Sequence, residues 1–168
     1  MKKTIKNLIY LIAAVLLVLL DYISKVHIVK YLKGKENIVW INNVFELEYL
    51  ENTGAAFSSF MGKQTFLIIL TVIVTAFCIV EFARIPEEKR FFGLRLSFLL
   101  LISGAIGNLI DRTKQGYVVD YFYFVPVNFP RFNVADCYVT VSVVLLVILL
   151  FFVYKDEETE FLFKFKKN

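Results

Sequence analysis

The sequence has few cysteines, a single histidine and few charged residues. Of its 168 residues, two are cysteine, one is histidine and 20% are charged. Cys78 and Cys137 are too few for a disulfide framework, and His27 has no second histidine or cysteine at ligand spacing. These shortages argue against a disulfide scaffold, a metal site and a catalytic triad that depends on histidine. We therefore expect neither a metal nor a cofactor.

Apolar residues, by contrast, are abundant. They make up 58% of the chain, whereas soluble domains have roughly half. The net charge is +4, but lysine and arginine stand in small clusters between apolar blocks. That distribution differs from the single basic stripe of a nucleic-acid-binding protein, so we expect no nucleic-acid partner. The composition predicts an integral membrane protein of one domain, residues 1–168.

Four apolar segments are long enough to cross a membrane as helices. They cover approximately residues 5–31, 65–83, 94–111 and 137–154. The first segment follows a basic start, which is also the outline of a secretory signal peptide. However, no Ala-x-Ala cleavage site follows, and the helical pattern continues to about Tyr31. We therefore interpret it as a retained transmembrane helix.

The basic clusters predict the orientation of these spans. With four spans, the basic N-terminus, the loop from Arg84 to Arg95 and the lysine-rich tail share one side of the membrane. The positive-inside rule makes that side cytoplasmic. Residues 33–63 and 113–135 then share the outer side. Cys78 and Cys137 lie at different depths, too far apart for a disulfide, so both are expected to be free thiols.

The first outer segment has the pattern of a β-hairpin. Residues 37–43 and 45–49 predict two short strands around an Asn-Asn turn. Trp40 and Tyr49 are residue types that favour the membrane surface. Asn52 follows among small residues, where it either shapes a turn or offers hydrogen bonds to a substrate backbone.

Asp21 and Lys25 stand near the outer end of the first span. They are four residues apart with the acid first, which is the favourable order for an ion pair on one helix face. Each charge would otherwise cost about 2.5–3.5 kcal/mol at the middle of the membrane and less near its surface. A pair of side chains that reach the interface is the simpler alternative, and it stays open at this point.

The third span ends in a group of small and polar residues. They are Ser103, Gly104, Gly107, Asn108, Asp111 and Arg112. The small residues favour close helix packing. Asn108 and Arg112 share one helix face at the outer interface, and Asp111 has both Arg112 and Lys25 as potential partners. Such a set is compatible with a purely structural role. However, polar and charged groups that converge from the first and third spans favour a site whose side chains hold one another in place.

Two aspartates outside the spans are the candidates for chemistry. Asp120 lies among aromatic and branched residues in a segment whose pattern predicts an extended conformation. Asp136 follows Asn133 by three residues, a spacing that also suits a helix cap and an acid in the first helical turn. If the two carboxyls face each other, one is protonated and the other ionised near neutral pH. Such a pair can activate a water molecule for peptide hydrolysis.

Five motifs resemble those of the bacterial lipoprotein signal peptidase family (signal peptidase II). The pattern D-x-x-[ST]-K is matched by Asp21, Ser24 and Lys25, and N-x-G-x-x-[FW] is matched by Asn52, Gly54 and Phe57. The pattern G-x-x-G-N-x-x-D-R is matched by Gly104, Gly107, Asn108, Asp111 and Arg112. V-x-D-[FY] is matched by Val118, Asp120 and Tyr121, and F-N-x-A-D by Phe132, Asn133, Ala135 and Asp136. The resemblance covers nearly the whole chain.

The chain departs from the family pattern at a few packing positions. Ser103 stands where a further glycine is common, and Val139 and Ser142–Val143 stand where isoleucine and a later glycine are usual.

The resemblance implies an all-α integral membrane aspartyl peptidase. Its four transmembrane helices would carry a small extracytoplasmic β-sheet and a surface-lying helix. Asp120 and Asp136 would form the catalytic dyad. The residues implied to hold the substrate or brace the dyad are Asn52, Gly54, Asn108, Arg112, Asn133 and Ala135, with support from Asp21, Lys25 and Asp111.

The resemblance also implies the partners and the location. The substrate would be a prolipoprotein that already carries a diacylglyceryl group on its lipobox cysteine, and the cut would fall just before that cysteine. The enzyme would lie in the bacterial cytoplasmic membrane, contact membrane lipid and act as a monomer. We further expect residues 51–60 and 113–130 to move over the dyad and admit the substrate from the bilayer.

Two other function classes stay open on the residues alone. The first is a small transporter or proton-conducting protein that uses the same acids. Proton relays place acids at several depths, whereas the candidate acids here cluster at one face. The second is a membrane scaffold, which would give Asp120 no purpose among aromatic residues. We therefore favour the peptidase.

Overall fold

The computed structural model describes residues 3–54 and 62–162. It has four long helices, α1 (Lys3–Leu32), α2 (Gln64–Arg84), α3 (Phe92–Gln115) and α4 (Val134–Ile148), the last continuing as a π-helical turn, Leu149–Val153. All four are long and apolar enough to cross a membrane. A short helix, α5 (Asp156–Thr159), follows near the end of the chain. The four predicted spans are therefore confirmed.

Two helix ends differ from the sequence-based boundaries for identifiable reasons. Helix α3 continues four residues beyond the predicted 111, until Gly116 takes the left-handed conformation (φ 78°) and bonds to the Arg112 carbonyl oxygen. Helix α4 begins at Val134 rather than 137, because Asn133 caps its first turn. The polar residues at these two ends therefore belong to regular helix.

Helix α3 is the central helix of the bundle and contacts each of the other three. Its small residues allow this packing, as the sequence predicts. A Cβ at Gly104 would lie 2.5 Å from the Ala135 carbonyl oxygen, and a Cβ at Gly107 would lie 2.6 Å from an Asp21 carboxylate oxygen. No larger residue fits at either position without moving α1 or α4.

A three-stranded antiparallel sheet covers one end of the bundle. Its strands are β1 (Ile38–Ile41), β2 (Phe45–Asn52) and β3 (Val118–Phe124), in the order β1-β2-β3. The predicted Asn-Asn turn is present, with Asn43 at φ 57°. Strand β2 extends beyond the predicted 49 because Asn52 pairs with Val118 of β3. A β-bridge between Phe122 and Phe132 then leads the chain into α4.

Some expectations stay predictions. Between the long helices, the described residues form only short helical turns, Lys89–Phe91 and Val125–Val127, so the surface-lying helix is not among them. Phe57 and residues 55–60 of the expected moving segment lie outside the described residues.

Cys78 and Cys137 are both free thiols, as expected.

Buried charges at the opposite end of the bundle were not predicted. Glu81 is fully buried and pairs with Arg84 at 2.7 Å. Arg95 is 5% exposed, donates hydrogen bonds to the carbonyl oxygens of Ile85 and Pro86, and lies over the ring of Phe82. The sequence pattern indicated a mixed polar loop from Arg84 to Arg95 because it does not reveal that Arg95 contacts the end of α2.

Candidate active site

Asp120 lies on β3 and is 2% exposed. Its two carboxylate oxygens accept hydrogen bonds from two different amides, Asn52 Nδ2 at 2.7 Å and Asn133 Nδ2 at 2.6 Å. Asn52 reaches it because β2 pairs with β3 beside it, and Asn133 reaches it from the start of α4. Both oxygens of this buried carboxyl are therefore satisfied.

Asp136 lies in the first turn of α4 and forms a capping box with Asn133. The Asn133 backbone N–H donates to Asp136 Oδ2, and the Asp136 backbone N–H donates to Asn133 Oδ1, both at 3.0 Å. The helix cap that the spacing of Asn133 and Asp136 suggested is therefore present. It does not use the whole carboxylate, because Asp136 Oδ1 accepts a further hydrogen bond from Asn108 Nδ2 at 2.8 Å.

Each of the three asparagines has its amide orientation fixed by a donor behind it. The side-chain oxygen of Asn52 accepts from the Gly54 backbone N–H (2.9 Å), and that of Asn133 accepts from the Asp136 N–H. The oxygen of Asn108 accepts from Lys25 Nζ at 3.0 Å. Backbone N–H groups and ammonium groups only donate, so each asparagine must turn its NH₂ toward an aspartate. The site thus presents N–H donors to both carboxyls.

Lys25 is 2% exposed and contacts three acceptors. Besides Asn108, its ammonium pairs with Asp21 at 2.8 Å and with Asp111 at 3.0 Å. Of the two partners that the sequence allowed for Asp111, the structure therefore selects Lys25. The simpler alternative of side chains reaching for the interface does not apply to this pair, because both Asp21 and Lys25 are buried.

The two carboxylates that hold Lys25 also bond the backbone beside each candidate aspartate. Asp21 Oδ1 accepts from the Ala135 N–H at 2.9 Å, next to Asp136. Asp111 Oδ2 accepts from the Val119 N–H at 3.3 Å, next to Asp120. Lys25, with its two partners, therefore ties β3 and the start of α4 to the ends of α1 and α3.

A cavity of about 940 Å³ opens in front of both aspartates. Arg112 lines it and donates to the Gly54 carbonyl oxygen at 3.0 Å, while Asn52 and Asn108 also reach its wall. Apolar residues of α4, Val139 and Val141, continue the wall away from the aspartates. The cavity therefore joins a polar end to an apolar end, and it is large enough for several residues of an extended peptide.

The environment of Asp120 favours its protonated form. The pKa of this carboxyl is raised from 3.8 to about 7, first by burial and then by the negative charge of Asp136. Hydrogen bonds from Asn52 and Asn133 oppose this rise but do not cancel it. A carboxyl that titrates near neutral pH can take up or release a proton during a reaction.

The sequence predicted which residues meet but missed two supports. Tyr121 donates to Ser24 Oγ at 2.7 Å, which fastens β3 to α1. Arg131 donates to Glu48 at 3.0 and 2.6 Å beside the cavity. Ser24 and Tyr121 both belong to the motifs quoted above, so the sequence marked both residues of the Tyr121–Ser24 hydrogen bond. Nothing in the sequence pairs Arg131 with Glu48.

No group of three potential ligands stands close enough to share a metal ion in residues 3–54 and 62–162.

Four transmembrane helices and two amide-bonded carboxyls, of which Asp120 is buried and Asp136 is half-buried, define a multi-pass membrane protein with a polar site at one end of its bundle. The family model described as Signal peptidase (SPase) II matches residues 13–152. The chain therefore belongs to the signal peptidase II family and is a protease.

Individual relatives agree with this assignment. The lipoprotein signal peptidases of Streptococcus pyogenes serotype M5 (strain Manfredo) and serotype M18 (strain MGAS8232) are each 40% identical over 153 residues, which is 91% of this chain and 97% of theirs. A bacterial membrane enzyme solved by the in meso method superposes with a TM-score of 0.75 at 29% identity, covering 94% of each chain. A second such structure superposes equally well at 31% identity, covering 86% of this chain and 94% of its own.

Proposed function

We propose that this protease removes the signal peptide from prolipoproteins through an aspartyl dyad, Asp120 and Asp136. The observation that carries the proposal is the shared bracing of the two carboxyls. Asn133 donates to Asp120 through its side chain and to Asp136 through its backbone, so one residue holds both. The relatives that match the chain are named lipoprotein signal peptidases, which supports the substrate class.

The dyad would act as a coupled acid and base. We assign the proton to Asp120, whose pKa is raised to about 7, and the negative charge to Asp136. Asp136 takes a proton from a water molecule while the water oxygen attacks the scissile carbonyl carbon. Asp120 donates its own proton to the carbonyl oxygen in the same step. The tetrahedral intermediate then collapses: Asp136 passes its proton to the leaving amine as the C–N bond breaks, and Asp120 takes back the hydroxyl proton as the carbonyl re-forms. The two ionisations belong to the pair rather than to one residue.

The remaining polar groups would hold the substrate or the dyad. Arg112 and the Asn52 amide lie at the cavity wall, where they can bond the carbonyl oxygens of an extended peptide. Gly54 contributes its backbone N–H and carbonyl oxygen to this wall, and Ala135 contributes its N–H to Asp21. Asp21, Lys25 and Asp111 would act behind the dyad as positioning residues.

The apolar end of the cavity suits a substrate that carries acyl chains. We propose a diacylglyceryl group on the lipobox cysteine, with the cut just before that cysteine. The distribution of Lys and Arg supports cytoplasmic termini and a site near the outer face of the bacterial cytoplasmic membrane. We keep the expectation of a monomer and of a movement of residues 51–60 and 113–130 over the dyad.

The lipid requirement is testable with paired substrates. We expect cleavage of a diacylglyceryl prolipoprotein in detergent, with mass spectrometry placing the new N-terminus at the lipid-bearing cysteine. The same precursor without lipid should be cut much more slowly, by on the order of 100-fold, because the apolar cavity wall stays uncovered. Equal rates for the two precursors would contradict a lipid-recognising site. A cut at another bond would contradict the proposed position.

The pH dependence of cleavage should report the proton on the dyad. We expect the rate to fall as pH rises above about 7, on the order of tenfold per pH unit, because the pair then loses its only proton. The linked effect on stability has the same sign. The folded protein keeps the Asp120 proton above the unfolded pKa, so this contribution is present at low pH and is lost as pH rises through about 7.

The control for this profile is Glu36→Gln, since Glu36 is exposed and is not among the residues that line the cavity. The variant should show the same alkaline fall as the wild type. A rate that stays constant from neutral into alkaline pH would show that no shared proton is needed.

A further inference from the structure

Tyr121 is in contact with the elements that carry both aspartates. It follows Asp120 directly on β3 and is 2% exposed. Because side chains alternate along a strand, the Tyr121 ring lies on the face of β3 opposite the Asp120 carboxyl. The Tyr121 backbone N–H donates to the Phe132 carbonyl oxygen at 3.0 Å, just before the helical turn that carries Asp136. The Tyr121 backbone therefore already connects β3 to the segment that leads into α4.

The hydroxyl of Tyr121 begins a short chain of hydrogen bonds that ends on α1. It donates to Ser24 Oγ at 2.7 Å, and Ser24 Oγ donates to the Asp21 carbonyl oxygen at 2.6 Å. A hydroxyl has one proton to donate, so the proton of Ser24 is committed to Asp21 and that of Tyr121 is committed to Ser24. The chain therefore fixes β3 to the turn of α1 from which Asp21 and Lys25 extend.

The oxygen of the same hydroxyl is close to the start of α4. Burial raises the pKa of Tyr121, while Ser24 and the backbone N–H of Val134 oppose that rise. Val134 is the first residue of α4, and the first N–H groups of a helix have no partner within it. The hydroxyl therefore lies where β3, α1 and the first turn of α4 meet.

The apolar packing of this position does not need the oxygen. The family motif that contains Asp120 permits phenylalanine as well as tyrosine at position 121, and phenylalanine has the same ring without the hydroxyl. A buried tyrosine adds a polar group that must find partners. Here those partners belong to α1 and α4 rather than to β3 itself. The hydroxyl thus contributes to the placement of three elements relative to one another.

We propose that the Tyr121 hydroxyl is a positioning group that fixes the geometry of Asp120 relative to Asp136. The inference rests on the proposed function, because it concerns the same dyad. The hydroxyl acts through the backbone, since its hydrogen bond goes to Ser24 and not to either carboxyl. Without it, β3 keeps its apolar contacts but loses a bond to α1, so Asp120 becomes more mobile and more open to water.

Tyr121→Phe removes this one oxygen and tests the proposal in the full-length enzyme. With a diacylglyceryl prolipoprotein in detergent, we expect kcat to fall by on the order of tenfold with KM little changed, because misplaced catalytic groups slow the chemical step. The fall of the rate at alkaline pH should also begin below about 7. The reason is that an Asp120 carboxyl more open to water has a lower pKa.

Tyr154→Phe is the matched control. Tyr154 is 7% exposed, and its hydroxyl donates to the Arg90 carbonyl oxygen at 2.8 Å, beyond the other end of α4. Loss of either hydroxyl should lower the thermal unfolding temperature to a similar extent, but only Tyr121→Phe should change kcat and the pH profile. Equal changes of kcat and pH profile in the two variants would overturn the proposal, because any buried hydroxyl would then have the same effect.

Variants of Ser24 test the same hydrogen bond from its other side. Ser24→Ala should reproduce the pH profile of Tyr121→Phe, and the double variant should be little worse than either single one. Ser24→Thr keeps a hydroxyl and should keep the wild-type profile. A Tyr121→Phe enzyme with the kcat, KM and pH profile of the wild type would refute the positioning role.

Asp120→Asn separates this inference from the proposed function. If Asp120→Asn is inactive while Tyr121→Phe behaves as the wild type, the dyad stands and only the role of Tyr121 is wrong. If Asp120→Asn cleaves normally, the dyad is wrong and the positioning role of Tyr121 is wrong with it. Inactive Asp120→Asn together with a shifted pH profile in Tyr121→Phe supports both.

Discussion

Replacement of either Asp120 or Asp136 with asparagine should abolish cleavage while the protein stays folded. Each change keeps the size of the side chain but removes the group that exchanges a proton with water or substrate. General acid–base groups contribute on the order of 10²–10⁴ in rate, so a loss of at least this size is expected in a detergent assay with a diacylglyceryl prolipoprotein. The double variant should be little worse than either single one if the two carboxyls act as a unit, as we propose.

The control for these variants is Asp156→Asn, which alters an exposed carboxyl on α5, far along the chain from the site. It should cleave at the wild-type rate. Thermal unfolding and substrate binding would show whether the inactive variants are intact. If Asp136→Asn turns over nearly normally, Asp136 is only a helix cap. Normal turnover by Asp120→Asn would likewise make Asp120 a brace, and the acid would then be sought at Asp111 or Asp21.

The second large effect is expected at Lys25. Lys25→Met leaves Asp21 and Asp111 buried without their cation, and loss of one partner from a buried ion pair costs about 3–5 kcal/mol in the free energy of unfolding. Thermal or denaturant unfolding in detergent measures this loss. Lys33→Met is the matched control, because the Lys33–Glu51 pair is half exposed and surface pairs contribute about 0–1 kcal/mol.

A double variant distinguishes positioning from simple charge balance. Asp21→Asn combined with Lys25→Met removes one charge of each sign and should restore part of the stability. Turnover should stay low, because Asn108 Oδ1 loses its shorter donor, Lys25 Nζ at 3.0 Å, and keeps only Asn133 Nδ2 at 3.2 Å to turn its NH₂ toward Asp136. Recovery of both stability and turnover would mean that Lys25 serves only as a counter-charge.

The sequence predicted the parts of this molecule that depend on neighbouring residues. Long apolar runs gave the four spans, and the spacing of Asn133 and Asp136 gave the helix cap. The resemblance to the family motifs also implied that Asp120 and Asp136 share a site. These features follow from local hydrophobic periodicity, from helix-capping chemistry, or from motifs that each occupy one short stretch of sequence.

Features that depend on distant contacts could not be predicted. The orientation of the Asn108 amide depends on Lys25, 83 positions away, and Asp21 bonds the Ala135 N–H across 114 positions. The choice of Lys25 over Arg112 as the partner of Asp111 is likewise a matter of helix packing. Arg95 is buried where it contacts Ile85, Pro86 and Phe82, and charge patterns do not reveal these contacts.

Asn133 links the stability of a helix end to the competence of the site. Its side-chain oxygen is committed to the first turn of α4, and its NH₂ is committed to Asp120. Unwinding of that turn would release the amide, turn Asp136 away and leave Asp120 with one donor fewer. Local opening of these few residues would therefore disassemble the proposed dyad and break the bond between the Ala135 N–H and Asp21 that fastens this turn to α1. The amide protons of Ala135 and Asp136 should exchange slowly with solvent, and their protection would measure how often the centre is assembled.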